Sequence, residues 1–490
     1  MIKDYLKEQI LSNFGHLPTA DQSDAISALS EFILSSVPVS LFVLRGFAGT
    51  GKTSLVSALV RTMEQLGRTC VLMAPTGRAA KVFSLYARHP AYTIHRRIYR
   101  QKSMDQDAAF ALNYNNARQV LFIVDEASMV SNRPDGQMLR QSVLEDLLQF
   151  VYGGGVTGCR LVLCGDTAQL PPVGEDESPA LQPDRLRAMG MDVTMATLTG
   201  IVRQREASGI LWNATRLRRC IESDDVYGWP AIRFTGFPDV VNVPGEELIE
   251  TIAGCYAQQG MDETMIVCRS NKRAVAYNRG IRFQILGYED ELCGGDIVMI
   301  AKNNYFWTRK PEQDEAPKPQ AGQTGSDVSG PAVEYIANGD IAVVHRVWNE
   351  REFYGFRFAD CLLTLPDYGD YEFTATVLLD TLHAEAPSLP HDRQEQLFRG
   401  VMEDYADIPL KRDRLKKLKD DIYYNALQLK YAYAVTCHKA QGGQWGHVFI
   451  DQGFMTDEML GPDYYRWLYT AMTRATEKVY FVNWRKEQTE

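Results

Sequence analysis

Residues 46–53 read GFAGTGKT: a glycine, four residues, then Gly51, Lys52 and Thr53. This is the G-x-x-x-x-G-K-[ST] spacing of a phosphate-cradling loop. Glycine is needed because consecutive backbone N–H groups must turn inward around a phosphate, and a Cβ would block that turn. Lys52 sets a cation at the β- and γ-phosphates, and the Thr53 hydroxyl is suited to Mg²⁺. Gly46, Gly49, Thr50, Gly51, Lys52, Thr53 and Ser54 are the candidate nucleotide contacts. The flanks suit the reading. SLFVLR (40–45) is an apolar run of the kind found in a buried parallel strand. KTSLVSALVRTMEQL (52–66) has helical periodicity and no breaker, so a helix offers its positive end to the anion.

Further apolar runs end in residues that chemistry would use. VLFIVDEAS (120–128) reads as a buried strand closing on Asp125 and Glu126. Two adjacent acids at such a strand end suit a Mg²⁺ ligand, Asp125, and a base that orients water, Glu126. CRLVLCGDTAQLPPVG (159–174) runs into Gly165-Asp166 and then Gln169, placed to sense a γ-phosphate. VLMA (71–74) ends at Pro75-Thr76-Gly77, and strand ends of this kind are where parallel sheets bind ligands. Thr76, Arg78 and Lys81, with Thr93 and His95 in TIHRRIY (93–99), suit the phosphates of a nucleic-acid backbone, and Pro75 beside them is a candidate nucleic-acid contact. Upstream, Thr19 or Asp21 can cap a helix over 17–35. Gln22 in its first turn can donate and accept at once, which is what reading an adenine edge requires.

At 490 residues the chain has room for about three or four domains. A net charge of −10 is unusual for a nucleic-acid protein, but a local basic groove is sufficient. Residues 78–102 supply one, with seven Lys and Arg and no acid. Nine scattered cysteines without a C-x-x-C pair argue for a reducing cytosol and against a zinc site. No run approaches the ~20 apolar residues of a membrane span, so no membrane partner is expected.

Residues 100–117 are polar and lack helical periodicity, which leaves a small β-hairpin or an irregular loop, with Phe110 as a large apolar residue for a tip. TMIVCRSNKRAVAYNRGIR (264–282) reads as strand then helix. Residues 293–425 break the pattern, with short alternating strands of a small barrel and then charged helices interrupted at Pro409. Within them, 308–330 is rich in Pro, Gly and charge, the composition of a disordered segment. Sheet chemistry returns at 430–451, with Thr436, His438 and Lys439 at a strand end and Gly442-Gly443 permitting close backbone approach. WLYTAMTRATEKVYFV (467–482) sets Arg474 among apolar residues.

Taken in order, these strings resemble superfamily-1 helicases of the RecD/Dda-like branch: Gln22, GFAGTGKT, APTGRAAK (74–81), TIHRRIY, DEAS, GDTAQLPPVG, Arg203-Gln204, TCHKAQGGQ (436–444) and YTAMTRA (469–475). The resemblance implies an α/β fold with two RecA-like motor domains and ATP with Mg²⁺ between them. Lys52, Glu126, Gln169, Arg203 and Arg474 would be catalytic, the two arginines acting as fingers. Gly442 would lie near the nucleotide, and Thr53 and Asp125 would hold the metal. Thr436, His438 and Lys439 would grip DNA together with the earlier set. The implied division is 1–192 for the first motor with a wedge hairpin at about 99–117, 193–292 and 426–490 for the second, and an SH3-type barrel with helices at 293–425. The implied activity is 5′ to 3′ movement on single-stranded DNA and duplex separation in the cytoplasm, with nuclease or single-strand-binding proteins as possible partners. A helicase subunit of an exonuclease complex, a nucleotide-dependent switch without unwinding, and RNA as the track are the competing readings. Gln444 departs from the acid of many relatives, and its role stays open.

Overall fold

Side-chain alternation sorts the first half of the chain into a sheet covered on both faces. The structure, a computed structural model, describes residues 2–101, 110–134, 141–154, 158–200, 208–308 and 336–490. Helices α1 (Ile2–Phe14) and α2 (Ala20–Leu34) lead into β1 (Ser40–Gly46), and the phosphate loop joins β1 to α3 (Lys52–Gln65). Then come β2 (Cys70–Ala74), α4 (Gly77–Ala87), β3 (Ala91–Thr93), α5 (Ile94–Ile98), β4 (Tyr99–Gln101), β5 (Phe110–Leu112), β6 (Leu121–Val124), α6 (Val143–Tyr152), β7 (Arg160–Gly165), α7 (Pro183–Ala188) and β8 (Asp192–Leu198). Six of these strands make one parallel sheet in the order β3-β2-β6-β7-β1-β8.

Successive residues of a strand face opposite sides. Phe42, Leu44, Ile123 and Val162 therefore pack under α1 to α4. Leu41, Val43, Val124 and Leu163 pack on the other face, with Ile94, Leu144 and Leu186 of α5, α6 and α7. Both faces are buried, which is why these strands read as unbroken apolar runs. The ends of β1, β7 and β6 are consequently neighbours, and they carry the phosphate loop, Asp166 and Asp125-Glu126.

The second half begins with α8 (Gly209–Glu222), β9 (Val240–Val243), α9 (Leu248–Gln259), β10 (Thr264–Cys268) and α10 (Asn271–Gly280). A compact unit, Asn278–Ala432, then interrupts it in sequence. That unit holds β11 (Ile297–Ile300), β12 (Ile341–Phe353), β13 (Phe356–Leu365), β14 (Tyr371–Leu378) and β15 (Leu427–Tyr431), closed as a barrel. Its helices α11 (His391–Asp404) and α12 (Lys411–Lys419) bury Leu397, Val401 and Leu418 against Phe356 and Phe358. The chain resumes with β16 (Ala434–Thr436), α13 (Cys437–Ala440), β17 (Trp445–Asp451), α14 (Pro462–Met472) and β18 (Ala475–Val482). The second sheet is also parallel, in the order β16-β10-β17-β18-β9. The described residues thus form two parallel α/β sheets with a barrel inserted in the second half of the chain.

The structure moves three expected boundaries. The first sheet ends at Leu198 and not at 192, because β8 pairs along the length of β1. The inserted unit starts before 293 and ends after 425, because β15 is needed to close the barrel against β11 and β14. The run expected as one strand over 430–436 is divided between barrel and second sheet. At the two ends of the stretch expected as a hairpin or loop, Tyr99–Gln101 pairs antiparallel with Phe110–Leu112. Phe110 pairs with Gln101 within that ladder. The segment between them, 102–109, lies outside the described residues, as do 309–335, which hold nearly all of the stretch expected to be disordered.

Candidate functional site

The phosphate loop has the geometry its glycines allow. Gly49 and Gly51 sit at φ 77° and 80°, in the left-handed region. Thr50 is buried and its hydroxyl donates to the Phe47 carbonyl at 2.9 Å, closing the loop on itself. Helix α3 begins at Gly51 without a side-chain cap. By contrast α2, α4, α5 and α6 are capped by Thr19, Thr76, Thr93 and Ser142. The first-turn N–H groups of α3 are thus left for an anion.

Lys52 lies 3.9 Å from Asp125 Oδ1. Burial works against its ammonium, but Asp125, Glu126 and Asp166 outweigh that and hold its pKa above the ordinary range. Three carboxylates facing one ammonium leave an excess of negative charge that a divalent cation balances. Asp125 is fixed by the Tyr86 hydroxyl and by the Glu126 N–H, the latter at 2.9 Å. Glu126 itself stands at φ 51°, a conformation few non-glycine residues adopt. Its Oε2 is buried with no hydrogen-bond partner, as is Oε1 of Gln169. Buried polar atoms are nearly always paired, so these two mark a place that a ligand or water completes. The residues present therefore fit a nucleotide with Mg²⁺.

The second half enters this site. Arg474 is 3% exposed, and its Nη1 is 3.8 Å from Glu126 Oε1. Its Nε donates to the Thr470 carbonyl at 3.1 Å, so the end of α14 aims the guanidinium. Arg203, expected as the other finger, lies outside the described residues, 201–207 being among those omitted. Helix α8 also reaches the loop, with the Arg218 guanidinium 4.5 Å over the Phe47 ring.

Gln22 is buried and not on the surface. Its Oε1 accepts the Thr19 N–H and its Nε2 donates to the Thr50 carbonyl, both at 2.9 Å. The amide expected to read adenine thus also closes a capping box and ties α2 to the phosphate loop. Thr53 and Ser54 are exposed on the first turn of α3.

The expected nucleic-acid residues lie at the ends of β2 and β3 in the first sheet and at the end of β16 in the second. Thr76 and Thr93 cap α4 and α5, accepting the N–H groups of Ala79 and Arg96 at 3.2 Å. Those hydroxyls therefore have structural work, and Thr93 is buried. Pro75 and His95 are half-buried. Arg78 stacks 4.2 Å over the Trp445 ring and donates to the Gln444 carbonyl at 3.0 Å. It links the two halves more than it faces outward. Gly442, expected near the nucleotide, meets α4: a Cβ there would stand 2.7 Å from Ala79 Cβ. Thr436 and Lys439 are half-buried and His438 exposed, at the end of β16 and on α13. Burial lowers the pKa of the Lys439 ammonium.

Sequence reasoning missed Tyr86, Thr470 and Gln441. It passed over Tyr469 inside a string quoted only for its arginine. Nothing local marks Tyr86, because its partner Asp125 is 39 positions away.

Two family models match the chain: an AAA domain over residues 19–220 and a UvrD-like helicase C-terminal domain over 431–482. The ATP-dependent RecD2 DNA helicase of Deinococcus radiodurans is 35% identical over 134 residues, 27% of this chain and 16% of that protein. An uncharacterised protein, MJ1519, of Methanocaldococcus jannaschii is 30% identical over 162 residues, 31% of this chain and 13% of that protein. The chain thus spans under a fifth of the length of each. R530 of Acanthamoeba polyphaga mimivirus, also uncharacterised, is 22% identical over 511 residues, 93% and 97% of the two chains. Among solved structures, a Bacteroides Pif1 helicase with ADP-AlF3 and single-stranded DNA aligns at 15% identity and TM-score 0.45, covering 96% of this chain and 94% of that one. Pif1 of Candida albicans aligns at 16% and 0.42, covering 96% of each.

Proposed function

We infer that this chain is a superfamily-1 helicase of the RecD-like type: an ATP-dependent DNA helicase that moves along single-stranded DNA, 5′ to 3′, and separates the duplex it meets. The observation that carries this reading is Arg474 of the second half standing 3.8 Å from Glu126 of the first. A site shared between two sheets makes hydrolysis depend on their approach, and that dependence converts nucleotide turnover into movement.

In this reading the loop amides and Lys52 bind the phosphates of ATP, and Thr53 and Asp125 hold Mg²⁺, which supplies charge neutralisation at the phosphoryl group. Glu126 orients the attacking water and takes its proton. Gln169 senses the γ-phosphate, and Arg474, with Arg203, stabilises charge on the transferring group. Thr76, Thr93, His95, Thr436, His438 and Lys439 lie along the DNA track, where backbone contacts fix position without reading sequence. The hairpin of β4 and β5 is the wedge.

The test is hydrolysis and unwinding by the parent and by Glu126→Gln. Removing the base should lower single-strand-stimulated ATPase about 10²- to 10⁴-fold while single-strand affinity stays within about threefold. Duplexes with a 5′ tail should be unwound by the parent and those with a 3′ tail should not. Turnover by Glu126→Gln at the parent rate, or unwinding only from 3′ tails, would overturn the catalytic assignment or the direction respectively.

A further inference from the structure

Arg474 is not the deepest contact that α14 makes with the first sheet. The Tyr469 hydroxyl donates to Asp166 Oδ2 at 2.6 Å and accepts the N–H of Ala48, in the phosphate loop, at 2.9 Å. The ring is 1% exposed and Asp166 is 2% exposed. One position on, Thr470 Oγ1 accepts the Leu170 N–H at 2.8 Å. Gln441 Nε2, just after α13, donates to the Leu170 carbonyl at 2.7 Å.

A phenol carries one proton and accepts through its oxygen. Tyr469 spends both capacities on the other half of the chain, on two groups 303 and 421 positions away. Packing alone would be met equally well by phenylalanine. The second oxygen of Asp166 accepts the Ala168 N–H at 2.9 Å, so the acid at the end of β7 is held from both sides. The groups facing it are Lys52 of α3, Glu126 after β6 and Tyr469 of α14. Helix α14 therefore grips the loop after β7 through Tyr469 and Thr470, and Arg474, just beyond its end, reaches Glu126.

We propose that Tyr469, seconded by Thr470, is a positioning residue for hydrolysis: through Asp166 and Ala48 it sets the register of α14, and hence of Arg474, against Glu126 and the phosphate loop. This rests on the reading of Arg474 and Glu126 as hydrolytic groups. Tyr469 touches no reacting atom and acts through the residues it holds. Because a displacement of about 1 Å at a reacting group costs about 10²-fold, one hydroxyl in this place has a large lever.

The test uses the full chain with oligothymidylate as the single strand. Tyr469→Phe should lower kcat for ATP about 10- to 100-fold and leave KM for ATP and oligothymidylate affinity within about threefold. Asp166→Asn should also lower kcat, and the double variant should be no worse than the poorer single, as members of one unit are. A kcat for Tyr469→Phe within about twofold of the parent, or fully multiplicative losses in the double variant, would overturn the proposal. Should Tyr469→Phe fail to fold, Thr470→Val, which keeps the shape and removes the acceptor for Leu170, must show the same fall in kcat without a rise in KM. Glu126→Gln separates the two levels. If it still hydrolyses, the hydrolytic reading itself fails, whereas an active Tyr469→Phe beside an inactive Glu126→Gln sinks only the positioning role.

Discussion

Gln22 shows how one side chain serves the fold and the site together. Its amide completes the capping box of α2 and holds the Thr50 carbonyl, so the phosphate loop is braced by the helix that precedes its strand. Two roles predict two separable losses. Gln22→Ala should destabilise the nucleotide-free protein by about 1–2 kcal/mol, the size of a lost cap and a buried hydrogen bond, read as a lower thermal midpoint. It should also raise KM for ATP while leaving GTP unaffected. An unchanged ATP-to-GTP ratio would leave Gln22 with the structural role alone. Glu126 is the opposite case. Its left-handed backbone at φ 51° and its unpartnered Oε2 are both costly. Strain of this kind at a strand-end acid is legible only in coordinates.

At the scale of elements, the barrel carries its own titrating group. Asp340 is buried in the turn before β12, where it accepts the Ala337 N–H at 2.7 Å and the Tyr368 hydroxyl at 2.9 Å. Burial pushes its carboxyl up to about 7, against the pull of those two donors. The folded unit then binds a proton that the unfolded chain, with a carboxyl near 3.8, releases earlier. Stability should fall as pH rises from about 4 to about 7 and level off above, because the native state binds more protons in that window. Hydrogen exchange of the β12 amides, corrected for intrinsic rate, should show that decline, and Asp340→Asn should remove it. A slope unchanged in the variant would assign the dependence to another group. The same barrel shows why element boundaries were misjudged. Alternation over 427–436 suits either sheet, and only closure against β11 and β14 assigns Leu427–Tyr431 to the barrel.

At the scale of the molecule, a chain of net charge −10 is proposed to bind a polyanion. That requires the cations of 78–102 and Lys439 to act locally. Single-strand binding should then weaken with salt, with log K falling about 0.7 per phosphate contacted for each decade, or a slope of about −2 to −4 for a handful of contacts. A flat dependence would mean that stacking, and not phosphate contact, holds the strand. No helix among the described residues is long and apolar enough to cross a membrane. The shape of the phosphate loop was legible along the chain because it depends on contiguous residues: glycines that let a loop turn, a lysine behind them, and acids closing the neighbouring apolar strands. So was the fold class, since strands buried on both faces and helices with one apolar face leave their periods in the sequence. What the sequence could not contain is which distant groups meet. Arg474 against Glu126, Tyr469 against Asp166 and Ala48, and Gly442 against Ala79 are pairings across hundreds of positions. They arise from strand order and from the helices and loops of one half meeting those of the other, and only the tertiary structure decides those.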